Sequence, residues 1–306
     1  MATEWRALGN GDFVLVGGSN IGVIIQNGRA VMIDAGLDKD VAKKALREVE
    51  RMSALVTAVI ITHGHADHFG GAGWLMQQTG CEVYAAPLEA AFATQPLLEP
   101  LFLFGGAAPI AELRGKFTLA RQGVERVTPL EAGPLTIAGI ALDIVPLPGH
   151  APQQIGVAHK NTLYCGDAIF PEETLERHPL LFCADMDAWL ATLERLPTLP
   201  FAGYVPGHGE QVQDIAALAE RNAARLREIR GQVWESLATP QEAHDVLRTL
   251  ALHYGVTFTA PQFFLLALTT IHAALTSLQA AGEAIVELDH NRMLWKRSRI
   301  PPLAGC

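Results

Sequence analysis

The chain has 306 residues, of which 49% are hydrophobic and 18% are charged, and its net charge at pH 7 is −9. This composition is typical of a globular protein with one large domain, or a large domain and a small one, and the acidic balance argues against a broad nucleic-acid surface. The sequence does not open on a basic region followed by an apolar run, and no later segment offers about 18 uninterrupted apolar residues. We therefore expect a cytoplasmic protein without a membrane segment.

The four cysteines are scattered along the chain, at Cys81, Cys165, Cys183 and Cys306. Because they lack C-x-x-C spacing, the sequence indicates neither a disulfide framework nor a structural zinc site, and reduced thiols are the simpler interpretation. We interpret Cys165 as a packing residue, since free cysteine commonly behaves as a small buried hydrophobe.

The first fifty residues predict a run of short strands followed by a helix. Apolar runs alternate with turns between residues 12 and 34, and Asn27-Gly28 between two of these runs is a strong hairpin signal. Asp38 can cap a helix that reaches about residue 52. Asp34, at the end of the third strand, has two interpretations: it caps a turn, or it orients a metal-binding histidine from behind.

Residues 62–71, Thr-His-Gly-His-Ala-Asp-His-Phe-Gly-Gly, form the most distinctive segment of the sequence. A strand-like apolar run precedes them, and their glycines allow a tight backbone path. Three histidines and a carboxylate within six positions are the side chains that borderline divalent metals bind. Because side chains at i and i+2 share a face, His63 and His65 can bind one ion while Asp67 and His68 turn towards a second. The segment predicts two adjacent metals.

Residues 87–123 form an apolar segment that prolines and glycines interrupt, and its run 97–104 fits neither a helical nor a strand period. Three interpretations remain open: a lid over the site, which we favour, a self-association surface of a homodimer, or plain core filling. Strands are expected to resume at residues 125–128, 135–137, 140–145, 155–159 and 162–165.

Three further ligand candidates each follow a glycine just past a predicted strand. They are His150 in Pro-Gly-His, Asp167 in Cys-Gly-Asp and His208 in Pro-Gly-His-Gly. Each of them alone is typical of an ordinary turn residue. With the loop at residues 62–71 they complete a set of five imidazoles and two carboxylates, and this coincidence indicates a metal centre.

The H-x-H-x-D-H loop, followed by Gly-His, Gly-Asp and Gly-His, resembles the metallo-β-lactamase superfamily over roughly residues 12–212. The resemblance implies an α/β fold, an αββα sandwich of residues 1–212 that carries the insertion at about 87–123. It also implies an acidic residue behind the site, which favours the orienting role for Asp34. By resemblance, one metal is held by His63, His65 and His150, the other by Asp67, His68 and His208, and Asp167 bridges them.

Residues 213–306 predict a small, mainly helical domain. Helices are expected over about 215–237, 245–253 and 262–281, followed by a two-stranded hairpin. Three helices and a hairpin resemble the winged-helix appendage that follows the catalytic domain in some members of this superfamily. The domain's histidines are interpreted as ordinary residues rather than ligands: His244, His253, His272 and His290.

The charge of this C-terminal region argues against nucleic-acid binding. From Asp214 onward nine basic residues balance nine acidic ones, and the helix 262–281, which would enter a groove, contains no lysine or arginine. Affinity for a duplex depends on such cations because they neutralise phosphates. The helix is also apolar all round, so we expect it to be buried against the catalytic domain or a second subunit.

The resemblance leaves two function classes. The first is a hydrolase that uses a hydroxide bridged between two divalent ions, zinc or alternatively iron or manganese, to cleave a small ester, thioester or lactone. Its Pro-Gly-His and Gly-Asp-Ala-Ile-Phe segments are similar to the glyoxalase II branch, and Asp67 can also orient the hydroxide and take its proton.

The second class is an oxidoreductase similar to the persulfide dioxygenases, with one iron at His63, His65 and either Asp167 or His150. A phosphodiesterase or nuclease is a weaker third interpretation. Retention of the complete second ligand set favours the hydrolase, with a small molecule as its substrate.

Overall fold

The computed structural model describes residues 3–298, so Arg299 and Cys306 lie outside the described range. The strands are β1 Glu4–Gly9, β2 Asp12–Val16, β3 Ile21–Gln26, β4 Arg29–Ile33, β5 Leu55–Ile60, β6 Glu82–Ala85, β7 Thr128–Pro129, β8 Gly133–Ile137, β9 Ile140–Pro146, β10 Ile155–His159, β11 Thr162–Gly166, β12 Gly203–Pro206, β13 Ala284–Asp289 and β14 Arg292–Arg297. The helices are α1 Lys39–Arg51, α2 Ala66–Phe69, α3 Ala72–Thr79, α4 Pro87–Thr94, α5 Leu98–Leu103, α6 Glu172–Arg177, α7 Met186–Arg195, α8 Ile215–Ser236, α9 Ala243–His253 and α10 Pro261–Ala280. Short 3-10 turns span Ala111–Arg114 and Leu196–Thr198.

The first sheet contains seven strands in chain order, β1 to β7. Strands β1 to β4 are antiparallel, and β4 to β7 are parallel. The predicted hairpin joins β3 to β4, with Asn27 and Gly28 both at positive φ, 52° and 73°, as a tight turn between twisted strands requires. Asp38 caps α1 as predicted, because its side chain accepts hydrogen bonds from two backbone N–H groups of the first turn.

The second sheet has the order β12-β11-β10-β9-β8 and packs face to face against the first. The apolar core between the sheets includes Val31 and Ile60 from the first and Ile144 and Val157 from the second. Helices α1 and α3 pack on the outer face of the first sheet, and α7, α8 and α10 belong to the core on the outer side of the second. The predicted αββα sandwich is confirmed.

One edge of this sandwich collects the loops that follow β5, β11 and β12. Backbone hydrogen bonds hold these loops together: Ile155 N–H donates to the carbonyl of Thr62 at 3.0 Å, and Gly207 N–H donates to that of Gly166 at 2.7 Å. Asn20 N–H donates to the carbonyl of Gly207 at 2.7 Å, which ties the same edge to the start of β3. The positions of the predicted ligands are therefore set by sheet geometry rather than by free loops.

The C-terminal region has the three helices and the hairpin expected from the sequence. The boundary predicted at residues 212 and 213 lies between β12 and α8, and one apolar core crosses it, from Trp189 on α7 to Ile271 and Leu275 on α10. Within residues 3–298, α10 is the helix whose length and composition would suit a membrane span, and half of its apolar window is buried in the protein. The burial of α10 agrees with the expectation from the sequence. The resemblance of the whole C-terminal region to a winged helix stays a prediction.

The structure differs from the sequence expectation over residues 87–129. The strand expected over 125–128 is reduced to Thr128–Pro129, because Val124 N–H donates to the carbonyl of Ala93 and ties the chain to α4 instead of the sheet. The apolar segment forms the short helices α4 and α5. Each has fewer than three turns, which is too short for a helical period to be recognised in the sequence.

Candidate metal centre

All seven predicted ligand residues converge at the loop edge of the sandwich. Within each of three overlapping groups, one potential ligand atom per residue lies within 4.8 Å of the others. The groups are His63, His65 and His150; His63, His68 and Asp167; and Asp67, His68 and His208. The sequence therefore identified side chains that the fold does bring together, while their binding of metal stays a prediction.

The three histidines of the first group direct ring nitrogens at one another. His65 Nδ1 lies 3.0 Å from His63 Nε2 and 3.1 Å from His150 Nε2. His150 donates its Nδ1–H to the carbonyl of Phe182 at 3.0 Å, which leaves Nε2 as a lone pair directed at the cluster. Burial lowers the pKa of His65 to about 4 and that of His150 to about 3, and it lowers the pKa of His63 well below its ordinary value. All three are neutral at pH 7, the form that binds metals.

The second half of the cluster pairs histidines with carboxylates. His208 Nε2 lies 3.3 Å from Asp167 and 3.6 Å from Asp67, and its Nδ1–H donates to the carbonyl of Gly18 at 2.6 Å. Burial disfavours the imidazolium, but Asp167 and Asp67 outweigh it and raise the pKa of His208 to about 9. The same balance raises the pKa of His68 well above its usual value. In the metal-free protein these protons partly replace a cation.

Two ligand atoms at the centre of the cluster have no hydrogen-bond partner among the described residues: His68 Nε2 and Asp167 Oδ1. Both are fully buried and lie 3.4 Å apart. A buried polar atom without a hydrogen bond costs free energy, and a cation at this point would displace the proton of His68 and pair with both atoms. Because imidazole and carboxylate donors suit borderline divalent metals, the residues fit the two ions that the sequence predicts.

Asp34 lies behind the cluster and orients one of its histidines. Its carboxylate accepts hydrogen bonds from the backbone N–H and the hydroxyl of Thr62, at 2.8 and 2.9 Å, and from His68 Nδ1 at 2.8 Å. This contact fixes the tautomer that presents Nε2 of His68 to the cluster. The geometry favours the orienting interpretation over a turn cap.

Two buried glutamates that the sequence analysis missed hold the backbone of the ligand loops. Glu89, on α4, accepts from Gly64 N–H at 2.7 Å through one oxygen and from Gln153 N–H at 2.8 Å through the other. Glu99, on α5, accepts from Ala66 N–H at 3.1 Å. Glu89 therefore bridges the loop that carries His63 and His65 to the loop that follows His150. The available signal was an acidic residue within the first turn of a helix in an apolar segment.

Aromatic side chains form one wall of the centre. The rings of Phe170, Phe182 and Trp189 lie 5.4, 5.5 and 5.4 Å from the ring of His150. The sequence analysis did not single out these residues. A Cβ at Gly149 would lie 2.2 Å from Trp189, so the glycine before His150 is needed for this close packing.

The nearby cysteine takes the packing role expected from the sequence, and the apolar insertion lies next to the cluster. Cys165 is fully buried and burial raises the pKa of its thiol, which agrees with a packing role. Residues of α4 and α5, among them Phe92 and Phe102, line a small cavity that also contacts His65. The insertion thus lies beside His65, and the lid interpretation stays a prediction.

Solved structures of similar fold cover almost the whole chain. A beta-lactamase domain protein from Burkholderia ambifaria has a TM-score of 0.73 with 18% identity, covering 96% of this chain and 95% of that one. A metallo-beta-lactamase family protein from Thermus thermophilus has a TM-score of 0.69 with 20% identity, covering 97% and 98%. At these identities the likeness establishes the fold.

Sequence relatives include two bacterial proteins named hydroxyacylglutathione hydrolases. The one from Xylella fastidiosa (strain M12) is 24% identical over 282 residues, which are 90% of this chain and 91% of the relative. The one from Haemophilus influenzae, named GloC, is 29% identical over 143 residues, which are 46% of this chain and 61% of the relative. Residues 14–208 match the family Metallo-beta-lactamase superfamily, and the chain therefore belongs to that superfamily.

Proposed function

We propose that this protein is a hydrolase that requires two divalent metal ions and cleaves a small ester, thioester or lactone. The observation that carries the proposal is the convergence of three overlapping ligand groups, together with two buried atoms, His68 Nε2 and Asp167 Oδ1, that lack a hydrogen-bond partner among the described residues. Membership of a superfamily made up largely of hydrolases supports the class of reaction. The relatives named hydroxyacylglutathione hydrolases support a thioester or ester over other bonds.

The proposed ligands form two sets, one for each ion. His63, His65 and His150 are proposed to hold one ion, Asp67, His68 and His208 the other, and Asp167 to lie between them. When bound, two such ions lower the pKa of a shared water and polarise the substrate carbonyl. Zinc suits this set of imidazoles and carboxylates, and iron or manganese is the alternative.

Asp67 is the proposed catalytic residue. Its carboxylate lies within 3.7 Å of His68 Nε2 and 3.6 Å of His208 Nε2, at the exposed side of the cluster, since 19% of its side-chain surface remains accessible against 6% for Asp167. A carboxylate that contacts the cluster and also faces solvent can orient the attacking water and accept its proton. Asp167 is more enclosed, which suits a purely bridging role.

Partners follow from the same residues. We propose a small-molecule substrate and neither nucleic acid nor membrane as partner, because α10 has no cation and half of its apolar window is buried. A homodimer remains a proposal for the exposed apolar side chains of the insertion, such as Phe102 and Phe117. An anisotropy titration with duplex at low salt, and light scattering, test the two statements.

The function is tested by metal analysis and a substrate panel on the purified full chain. We expect two equivalents of metal per chain and turnover of thioesters, aryl esters or lactones, but not of phosphodiesters or β-lactams. His65→Ala should keep the fold and lose both metal and turnover. One iron per chain, with oxygen consumption on a persulfide, would instead establish the dioxygenase alternative.

A further inference from the structure

A groove of about 810 Å³ runs between the insertion and the C-terminal helices. We call it the α10 groove. Phe102 and Phe104 of the insertion form one wall, and Leu265, Leu268 and Thr276 of α10 form the other. Its volume lies within the range of small-molecule sites, roughly 300–1,000 Å³.

The α10 groove adjoins the small cavity beside the metal centre. Phe102 and Leu103 line both the groove and the small cavity that contacts His65. Ala184, on the floor of the groove, donates its N–H to the carbonyl of His150 at 3.2 Å. The remote arm of a substrate bound beside His65 would therefore reach the α10 groove past Phe102 and Leu103.

The lining of the groove disfavours anions. Among the residues that the structure describes, no lysine or arginine lines it, and its carboxylates are Asp185 and Asp187. Both are held in place: Asp185 accepts from the backbone N–H of Ala188, and Asp187 from the hydroxyl of Ser277 at 2.6 Å. Arg230 lies behind this lining, where it donates to Ser277 Oγ at 2.9 Å and is paired with Glu283 at 3.0 Å. An anionic group that entered would lose its hydration and meet two negative charges without a cation in the lining itself.

His272 does not supply that missing charge. Burial and the neighbouring His244 lower the pKa of His272, so its imidazole is neutral at pH 7. Apart from the two histidines and the two carboxylates, the wall consists of Gly105 and of phenylalanine, leucine, alanine, threonine and serine side chains. Such a wall is favourable for an apolar group and neutral towards hydroxyl groups.

We propose that the α10 groove binds an uncharged, apolar arm of the substrate, the part remote from the cleaved carbonyl. This inference rests on the proposed hydrolase function. It predicts that a thioester or ester of a carboxylate-bearing thiol or alcohol, such as a peptide thiol, is a poor substrate. One with a medium-length aliphatic or aromatic arm is predicted to be a good substrate.

The kinetic test compares matched thioesters on the metal-loaded full chain. In the first pair, one thioester has a neutral hexanoyl group and the other an adipoyl group, which ends in a carboxylate. In the second pair, the same neutral and carboxylate-terminated tails are carried by the thiol instead. In at least one pair we expect kcat/KM to favour the neutral tail by about tenfold or more, mainly through KM. Thr276→Arg should shift the ratio towards the anionic tail by about tenfold.

Gln279→Arg is the matched control, because Gln279 is exposed on the same helix but does not line the groove. This variant adds the same charge and should leave every ratio unchanged. If kcat/KM does not depend on the charge of the tail in the wild type or in Thr276→Arg, the inference is wrong, whereas the proposed function is unaffected.

A binding measurement decides the groove's preference without turnover. N-phenyl-1-naphthylamine is neutral, and 1-anilinonaphthalene-8-sulfonate carries the same rings with one negative charge. We expect the wild type to bind the neutral dye more tightly, and Thr276→Arg, but not Gln279→Arg, to gain affinity for the sulfonate. Absence of turnover on every substrate would sink the proposed function, and equal affinity for both dyes in all three proteins would sink the groove's specificity.

Discussion

Two buried histidine–carboxylate contacts lie at opposite ends of the sandwich. At the loop edge Asp34 contacts His68 at 2.8 Å, and at the far edge Asp12, at the start of β2, contacts His159, at the end of β10, at 2.6 Å. None of the four side chains is more than 3% exposed. The two contacts are alike in length and burial, but Asp34 also accepts from Thr62 whereas Oδ2 of Asp12 has no hydrogen-bond partner among the described residues.

The two histidine–carboxylate pairs differ in what surrounds the second imidazole nitrogen. His68 directs Nε2 at a cluster that contains four further histidines and two further carboxylates. In the described part of the chain, residues 3–298, no third metal-binding side chain joins Asp12 and His159. Metal chemistry is therefore indicated by the convergence of several ligand atoms, whereas a buried pair alone indicates a structural tie between strands.

The strongest way to break this comparison is to remove an imidazole at each end. His65→Gln should lower metal content and hydrolysis by more than the roughly 10- to 100-fold that the loss of a ligand's outer hydrogen-bond partner costs. His159→Gln should leave metal content and turnover unchanged and lower only the melting temperature. Elemental analysis, kcat/KM and thermal unfolding measure this contrast. Equal losses of metal in both variants would show that the far pair also supports the centre.

A finer comparison removes the carboxylate behind each histidine. Asp34→Asn keeps a side chain that tolerates the positive φ of 62° at this position but weakens the acceptor for His68, and metal affinity should fall by about 10- to 100-fold. Asp12→Asn is the control and should leave metal affinity unchanged. Competition with a chromophoric chelator gives both values. An unchanged affinity in Asp34→Asn would return Asp34 to the role of a turn cap.

The third comparison is between two glutamates of the insertion. Glu89→Gln replaces one of the two acceptors that bridge the ligand loops, so a buried N–H loses its partner at a cost of roughly 1–3 kcal/mol in unfolding free energy. The visible absorption of the cobalt-substituted protein should change as well, because His65 and His150 lose their common support. Glu112→Gln, exposed on the same insertion, should change neither quantity.

How much of the centre the sequence could predict depends on how local each signal is. The ligands of the 62–71 loop are contiguous, and His150, Asp167 and His208 each follow a glycine at a strand end, so sheet geometry brings them together. The role of Asp34 could be predicted for the same reason, because this residue also lies at the end of a strand.

The supports of the centre were not predictable in this way. Glu89 accepts from a backbone N–H at Gly64 and Glu99 from one at Ala66, 25 and 33 residues earlier in the chain. A backbone donor leaves no trace in the sequence, so only the packing of α4 and α5 on the loop reveals the contact. The α10 groove is likewise formed by walls from residues 102 and 276, which no local pattern connects.

The smallest expected effect is the pH dependence of the metal-free protein. Asp167 and Asp67 raise the pKa of His208 to about 9 against the opposing effect of burial, whereas an unfolded chain's histidine titrates near 6.5. Because the folded state holds this proton more tightly, its stabilisation is complete below about pH 6.5 and is lost as the pH rises through about 9. Solvent weakens the contribution, since 23% of the His208 side chain is exposed. Urea unfolding of chelator-treated protein at pH 6, 7.5 and 9 measures it. The wild type should lose more stability across this range than His208→Gln, and parallel curves for the two proteins would mean that the proton on His208 contributes nothing to folding.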